Sequence, residues 1–204
     1  MEQIKPYTSV SQAIDSLDNG GQFYDFFTQA DDDIISSSEI GKVAGANFQK
    51  QKAILFLQLA LSKLTARERL EVEGRFDDQL SAQFDKFKAK ELIRMDGFND
   101  LKLASSVLVH GVPKRIDEIG YATGFIMVPV IDVFSLIPIT DAYTVYQLYD
   151  EQNNESFLIA HAKDADPLPE KEITIAGTIK QFQISQDEES EIERFIEVSY
   201  YFEN

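Results

Sequence analysis

Apolar residues recur at helical spacing through the first half of the chain. One face collects Ala53, Ile54, Leu57, Leu61 and Leu64 at intervals of three and four residues. This spacing predicts a largely buried helix over Phe48–Leu64. A second stripe follows it, made of Val72, Phe76, Leu80, Phe84 and Phe87. It predicts a long helix that ends near Leu92, and the two long helices together predict an antiparallel helix hairpin on which shorter N-terminal helices pack.

Two residue pairs predict where helices begin. Ser36 with Glu39, and Thr65 with Glu68, have the spacing of a capping box, in which each side chain satisfies a backbone N–H at the start of a helix. The first pair predicts a short helix through Val43, and the second marks the start of the long helix. Upstream of both, glycines and aspartates bound a short aromatic segment, 22–29.

The acidic stretch Asp31–Glu39 has a calcium-binding EF-hand loop as one interpretation. Such a loop needs an oxygen ligand at its third position and a glycine at its sixth. With Glu39 at the last position, Ala30 and Asp33 fall at those two places. Since neither supplies what the loop requires, the sequence favours an acidic loop before a capped helix.

The second half of the chain has the composition and alternation of β-strands. Runs rich in Val, Ile, Thr and Tyr predict strands over 106–112, 143–149, 157–162, 173–182 and 195–202. The first strand is expected to end at Pro113, a turn is expected at Asp150–Glu155, and Asp164–Glu170 is expected to be a loop. Gly177 predicts a bulge or a bend inside its strand.

Segment 121–139 is unusually apolar, with Asp132 as its single charged residue and prolines at 129 and 138. We interpret it as a buried strand pair that is broken at Pro129. The alternative is a membrane-associated segment over 124–138, against which the central aspartate and the two prolines argue.

Charge divides the chain as the secondary structure does. Residues 1–104 carry 13 basic and 17 acidic side chains, whereas residues 105–204 carry 6 and 18, so that the second half holds a net charge of -12 out of -16. The sequence therefore predicts an α+β protein with a helical domain over 1–104 and an acidic β domain over 105–204. A charge of this sign disfavours nucleic acid as a partner, because nucleic-acid binders displace counterions with Lys and Arg.

The β half resembles an OB-fold domain. The resemblance is carried by 157–162, a proline-containing loop and 172–180, which are similar to the strand–loop–strand of bacterial OB-like domains, and it covers about residues 106–202. It implies a small antiparallel β-barrel that binds oligonucleotides or oligosaccharides on one face. The basic residues of this half are scattered, which disfavours the nucleic-acid role: Lys114, Arg115, Lys163, Lys171, Lys180 and Arg194.

Few residues offer catalytic chemistry. The chain has no Cys, which excludes cysteine catalysis, cysteine zinc sites and disulfides, and its two histidines are His110 and His161. No HExxH, Walker, GxGxxG or nucleophile-elbow motif accompanies them. Among 35 acidic residues, no pair stands out as a glycosidase pair. We therefore predict no catalytic residue, no metal and no cofactor, and we favour a non-enzymatic protein.

Five strand tyrosines are the candidate partner-binding residues: Tyr143, Tyr146, Tyr149, Tyr200 and Tyr201. Exposed tyrosines are common at interfaces, and the alternative is that they pack internally. Our main hypothesis is a binding or scaffold protein whose acidic β domain contacts a protein with a basic surface. The alternatives are an OB-type module that binds single-stranded nucleic acid or oligosaccharide, and a membrane-associated protein. The sequence starts without a basic n-region or an apolar h-region, which favours a cytoplasmic location.

Overall fold

A computed structural model describes residues 1–18, 32–46, 49–92, 95–116, 124–130, 133–184 and 192–204 of the chain. The aromatic segment 22–29 lies outside these residues. The chain divides into two compact units, Gln3–Ala89 and Met1–Glu2 with Lys90–Asn204. The sequence predicted the division at Ala104. Both ends of this second unit pair with the sheet: β1 (Glu2–Gln3) is hydrogen-bonded to the last long strand, and β2 (Lys90–Glu91) pairs in parallel with the first long strand, Lys90 opposite Val107.

Among its described residues, the unit Gln3–Ala89 consists of helices. Their bounds are α1 (Val10–Leu17), α2 (Ser37–Val43), α3 (Lys50–Ala60), α4 (Ala66–Glu73) and α5 (Asp78–Phe87). Both predicted capping boxes are confirmed, at the first turns of α2 and α4. In the first of them the Glu39 carboxylate accepts from the Ser36 backbone and hydroxyl, both at 2.8 Å. The Glu39 carboxylate thus has a structural role at the start of α2, as the predicted capped helix requires.

The single long helix predicted from Thr65 to Leu92 is wrong, because the chain breaks it into α4 and α5. Gly74 caps the end of α4, and Asp77 starts α5 by accepting a hydrogen bond from the Leu80 amide at 2.6 Å. Between them the backbone leaves helical geometry to bond with Ile35: Ile35 N–H donates to Arg75 O at 2.8 Å, and Asp77 N–H donates to Ile35 O at 2.9 Å. α3 packs against both α2 and α5.

The unit Lys90–Asn204 is built on a ring of five strands. Their bounds are β3 (Ser106–Arg115), β6 (Tyr143–Asp150), β7 (Glu155–Ala162), β8 (Ile173–Gln183) and β9 (Ile192–Glu203), and α6 (Met95–Asn99) precedes them. β3 pairs with β6, β6 with β7, β7 with β9, β9 with β8, and β8 with β3, which closes the ring. Four pairings are antiparallel, as the predicted antiparallel β-barrel requires, and the β7–β9 pair is parallel, which departs from that prediction. The protein is thus a mixed α+β protein.

β3 changes partners along its length. It pairs with β8 from Ser106 to Gly111 and with β6 from Val112 to Arg115. Gly111 makes the change possible: its φ of 152° lies where side chains are strained, and a Cβ there would lie 2.3 Å from the Tyr149 carbonyl oxygen. The prediction that the strand ends at Pro113 is wrong. Ile116 N–H donates to the Val145 carbonyl of β6, and successive backbone nitrogens of a strand point to opposite edges. The nitrogen of Pro113 therefore points away from β6, and its missing N–H costs no hydrogen bond to that strand.

The apolar segment forms a hairpin between β3 and β6. β4 (Phe125–Val130) pairs with β5 (Val133–Pro138), and the short helix α7 (Ile139–Ala142) follows. The prediction of a strand pair is confirmed, but the break at Pro129 is wrong. Pro129 lies inside β4 opposite Phe134, and the antiparallel pairing continues past it to Val130 opposite Val133. β4 pairs with β8 at Phe125 alone among the described residues, so the strand around Pro129 has one neighbour.

Other predicted features of the β half are confirmed. The hairpin β6–β7 encloses the turn predicted after Asp150, and no strand or helix lies between Ala162 and Ile173. β8 carries its bulge between Ala176 and Gly177. The ring encloses an apolar core that includes Val107, Val109, Leu148, Phe157, Ile159, Ile175, Ile179 and Ile196.

Candidate functional site

A row of four side chains crosses the outer face of β3, β6 and β7. Tyr146 and Leu148 of β6 point into the core, so alternation places Gln147 and Tyr149 on the opposite face. Lys114 lies opposite Gln147 in the β3–β6 register, and Ser156 lies opposite Tyr149 in the β6–β7 register. We call Lys114, Gln147, Tyr149 and Ser156 the outer row.

The members of the outer row contact one another in sequence. The Lys114 ammonium lies 5.0 Å from the centre of the Tyr149 ring, in cation–π geometry. The Tyr149 hydroxyl donates to Gln147 Oε1 at 2.6 Å, and Gln147 Nε2 donates to the Ser156 hydroxyl at 3.1 Å. These bonds orient the side chains and leave hydrogen-bonding capacity, because an amide group has two N–H donors and a hydroxyl both donates and accepts. The row therefore presents an aromatic ring, an amide, hydroxyls and a cation on the face of the sheet.

The turn beside the outer row is held by Asp150. This buried carboxylate accepts from Gln152 N–H at 3.0 Å and from Asn153 Nδ2 at 2.7 Å, and it lies 3.3 Å from His110 Nε2. Burial acts to raise the pKa of Asp150, but the hydrogen bonds from Asn153 and the His110 ring outweigh it and hold the pKa below its usual value. His110 and Asp150 thus fix the β6–β7 turn, which is a structural role.

The second histidine, His161, lies in the interior of the ring. Its Nδ1 atom lies 2.8 Å from the Ala162 carbonyl oxygen, which only accepts, so Nδ1 carries the proton. Nε2 then accepts from the Tyr146 hydroxyl at 3.2 Å, and that hydroxyl accepts from Leu168 N–H at 3.2 Å. Burial lowers the pKa of His161, which favours this neutral form. The network attaches the β7–β8 loop to the inside of the ring.

A separate apolar cluster contains Val145, Ala160, Phe182, Phe195 and Ile139. Tyr143 packs against it, edge-on to Phe195 with 5.4 Å between ring centres. The Tyr143 hydroxyl donates to Glu197 Oε1 at 2.8 Å, and burial together with the Glu197 carboxylate raises the pKa of the phenol.

The five predicted tyrosines are not brought together on one surface. Tyr146, Tyr200 and Tyr201 are buried, whereas Tyr143 and Tyr149 are half-exposed. Tyr149 belongs to the outer row. Its neighbours Gln147, Ser156 and Lys114 were missed as site residues, although the period-two alternation of 143–149 was a signal that Gln147 and Tyr149 share a face.

Within the described ranges, no three His, Asp or Glu residues are grouped so that they could hold a metal ion. Within the same ranges, no helix has the length and apolar character that crossing a bilayer requires.

No family model matches the chain, and no curated protein matches it. Among solved structures, the chain is similar to one described as the 1.8 Angstrom crystal structure of the N-terminal domain of an archaeal MCM, with 12% identity over 94% of this chain and 91% of that chain and a TM-score of 0.35. A likeness at this level supports no conclusion about function.

Proposed function

We propose that the strand ring is an OB-type, non-enzymatic binding module. The connectivity supports this. In chain order the ring strands are β3, β6, β7, β8 and β9, and around the ring they run first, second, third, fifth, fourth and back to the first. This is the strand order of the OB-fold, a five-stranded Greek-key barrel, and the one parallel pair joins the third and fifth strands as that order requires.

The ligand lies across the outer row. OB-folds bind ligands on the face of their second and third strands, flanked by the loop between strands one and two. Here those strands are β6 and β7, which carry Gln147, Tyr149 and Ser156, and the loop holds the β4–β5 hairpin. The position of the outer row on this face is the observation that carries the proposal.

The ligand we favour is a neutral oligosaccharide. A sugar ring packs on an aromatic face, and its hydroxyls pair with amide, hydroxyl and ammonium groups, which are the groups of the outer row. A single-stranded nucleic acid meets the same aromatic ring but also the net charge of -12 carried by residues 105–204. Because phosphate binding depends on cations, that charge opposes it.

An array of neutral linear oligosaccharides, probed with the full-length chain, tests the proposal. We expect binding to at least one oligosaccharide that Tyr149→Ala and Gln147→Ala weaken by about tenfold or more, the loss expected when a stacking or hydrogen-bonding group is removed. Gln181→Ala, at an exposed position of β8, is the matched control and leaves binding unchanged. Absence of oligosaccharide binding, or binding that ignores Tyr149→Ala, overturns the proposal. If a labelled oligonucleotide binds at low salt and competes for the outer row, the ligand of this face is nucleic acid and not a sugar.

A second candidate is contact with a protein of basic surface. It is supported by the β7–β8 loop, where Asp164, Asp166, Glu170 and Glu172 are exposed and where Lys171 is paired with Glu203. Affinity purification at low and high salt tests it, with Asp164→Lys combined with Asp166→Lys as the variant. A partner that is lost both at high salt and in this variant supports the candidate. A partner that is retained in 1 M salt contradicts it.

A further inference from the structure

The helical unit Gln3–Ala89 contains a pocket that is independent of the strand ring. It has a volume of about 380 Å³ and is lined by residues of α3, α4 and α5 together with Leu61 and Lys88, which follow α3 and α5. Pockets for small molecules have volumes of roughly 300–1,000 Å³, so this one has room for a compact ligand. One wall is fixed because the Gln58 side chain bonds to the Ala89 backbone in both directions, at 3.0 and 2.6 Å.

Apolar side chains form much of the lining. Leu61, which follows α3, is buried, Phe84 of α5 is half-exposed, and Leu70 of α4 has 67% of its surface exposed. An exposed leucine beside an aromatic ring in a concave surface leaves apolar area that a ligand side chain would remove from water.

Charged groups of both signs complete the lining. Arg69 and Glu73 lie one turn apart on α4, and Lys88 lies near them with its ammonium 3.0 Å from Asp85 Oδ1. Within the part of the chain that the structure describes, neither Arg69 nor Glu73 has a hydrogen bond or a salt bridge through its side chain. Burial raises the pKa of Glu73, while Arg69 and Lys88 act to lower it. The pocket therefore offers a cation and a carboxylate next to an apolar surface.

We propose that this pocket binds a small zwitterion with an apolar side chain, namely a free hydrophobic α-amino acid. Its carboxylate pairs with Arg69, its ammonium pairs with Glu73, and its side chain packs against Leu61, Leu70 and Phe84. A ligand with only a carboxylate would be repelled by Glu73, and a ligand with only an ammonium group would be repelled by Arg69. A zwitterion is the ligand whose two charges both match.

Calorimetric titration of the full-length chain with L-phenylalanine and L-leucine, up to about 10 mM, tests the pocket, since ligands of this size bind weakly. We expect one of them to bind. Three probes each lack one feature: 3-phenylpropionate the ammonium, 2-phenylethylamine the carboxylate, and L-alanine the large side chain. We expect each to bind about tenfold more weakly or worse, as for the loss of a charged or apolar contact.

Matched variants on α4 locate the binding. Arg69→Gln and Glu73→Gln should each weaken binding by about tenfold or more. Arg67→Gln and Glu71→Gln change the same residue types at exposed positions of α4 outside the pocket, and they should leave binding unchanged. Tyr149→Ala should also leave it unchanged, because that residue belongs to the strand ring. No binding of either amino acid, binding that survives both Arg69→Gln and Glu73→Gln, or a one-charge analogue that binds as tightly overturns the proposal.

Discussion

The Nε2 atom of His161 lies 3.2 Å from the Tyr146 hydroxyl oxygen, and both side chains are buried inside the strand ring. The direction of each hydrogen bond follows from its neighbours: Leu168 N–H donates to the tyrosine, and His161 Nδ1–H donates to the Ala162 carbonyl. The tyrosine therefore has to donate to the histidine. One phenol hydroxyl connects the ring interior with the loop that carries the exposed carboxylates.

Tyr146→Phe is expected to destabilise the protein by about 1–3 kcal/mol, because it leaves Leu168 N–H and His161 Nε2 buried without a partner. The control is Tyr149→Phe, which removes the hydroxyl that bonds to half-exposed Gln147 and is expected to cost less than about 1 kcal/mol. Urea unfolding of the two variants measures the difference. Equal losses of stability would show that the buried network contributes nothing beyond an ordinary hydrogen bond.

Stability is expected to fall as pH drops below about 6.5, the ordinary pKa of histidine in an unfolded chain. Burial holds the pKa of His161 below that value in the folded state, so the unfolded state takes up the proton first and is favoured. The effect is absent above pH 6.5 or so, grows as pH falls, and levels off below the folded pKa. Proton NMR measures the pKa of His161 directly, since the chain has 2 histidines and His110→Gln assigns their signals. A His161 signal that titrates at or above the ordinary pKa contradicts this expectation.

Gly111→Ala is expected to destabilise the protein by more than about 2 kcal/mol, because it combines a strained φ with a steric clash. The added Cβ would lie 2.3 Å from the Tyr149 carbonyl oxygen and 3.1 Å from the Asp150 amide nitrogen. Gly74→Ala is the control, since Gly74 has a φ of -66° at the end of α4, and we expect a change of less than about 1 kcal/mol. Thermal unfolding compares them. Similar melting temperatures for the two variants would mean that β3 relaxes easily where it changes partners.

Patterns within a few neighbouring residues predicted the helix starts and the strands. The features that these patterns missed depend on contacts between residues far apart in the sequence. The capping boxes at Ser36 and Thr65 involve residues three positions apart, so the sequence alone is enough to find them. The break between α4 and α5 depends on Ile35, more than thirty residues away, while the apolar stripe through Phe76 and Leu80 continues across the break as if one helix ran through it. The parallel pairing of β7 with β9 is non-local in the same way.

For the tyrosines, the sequence pattern predicts which of them share a face of the strand but not which face is buried. Alternation predicts that Tyr146 lies on one face of β6 and that Tyr143 and Tyr149 lie on the other. Both faces carry aromatic residues, so the pattern does not say which face is buried. That choice depends on Phe157 and the other core residues of neighbouring strands, which bury Tyr146. The outer row is not predicted either, because its members come from three strands and are brought together only by the register of the sheet.

Asp77→Ala is expected to destabilise the helical unit by about 1–2 kcal/mol, because it removes the side-chain cap of α5 and a negative charge at the helix N-terminus together. The Asp77 carboxylate accepts from Leu80 N–H at 2.6 Å, and the Asp77 backbone N–H donates to Ile35 O at 2.9 Å, so this residue starts α5 where the chain leaves its contact with Ile35. Asp78→Ala is the matched control. Asp78 lies in the first turn of the same helix and its loss removes only the favourable charge, for which about 0.3–1 kcal/mol is expected. Circular dichroism during urea unfolding measures both variants. A loss at Asp78 as large as that at Asp77 would mean that the charge near the helix start, rather than the cap, sets where α5 begins.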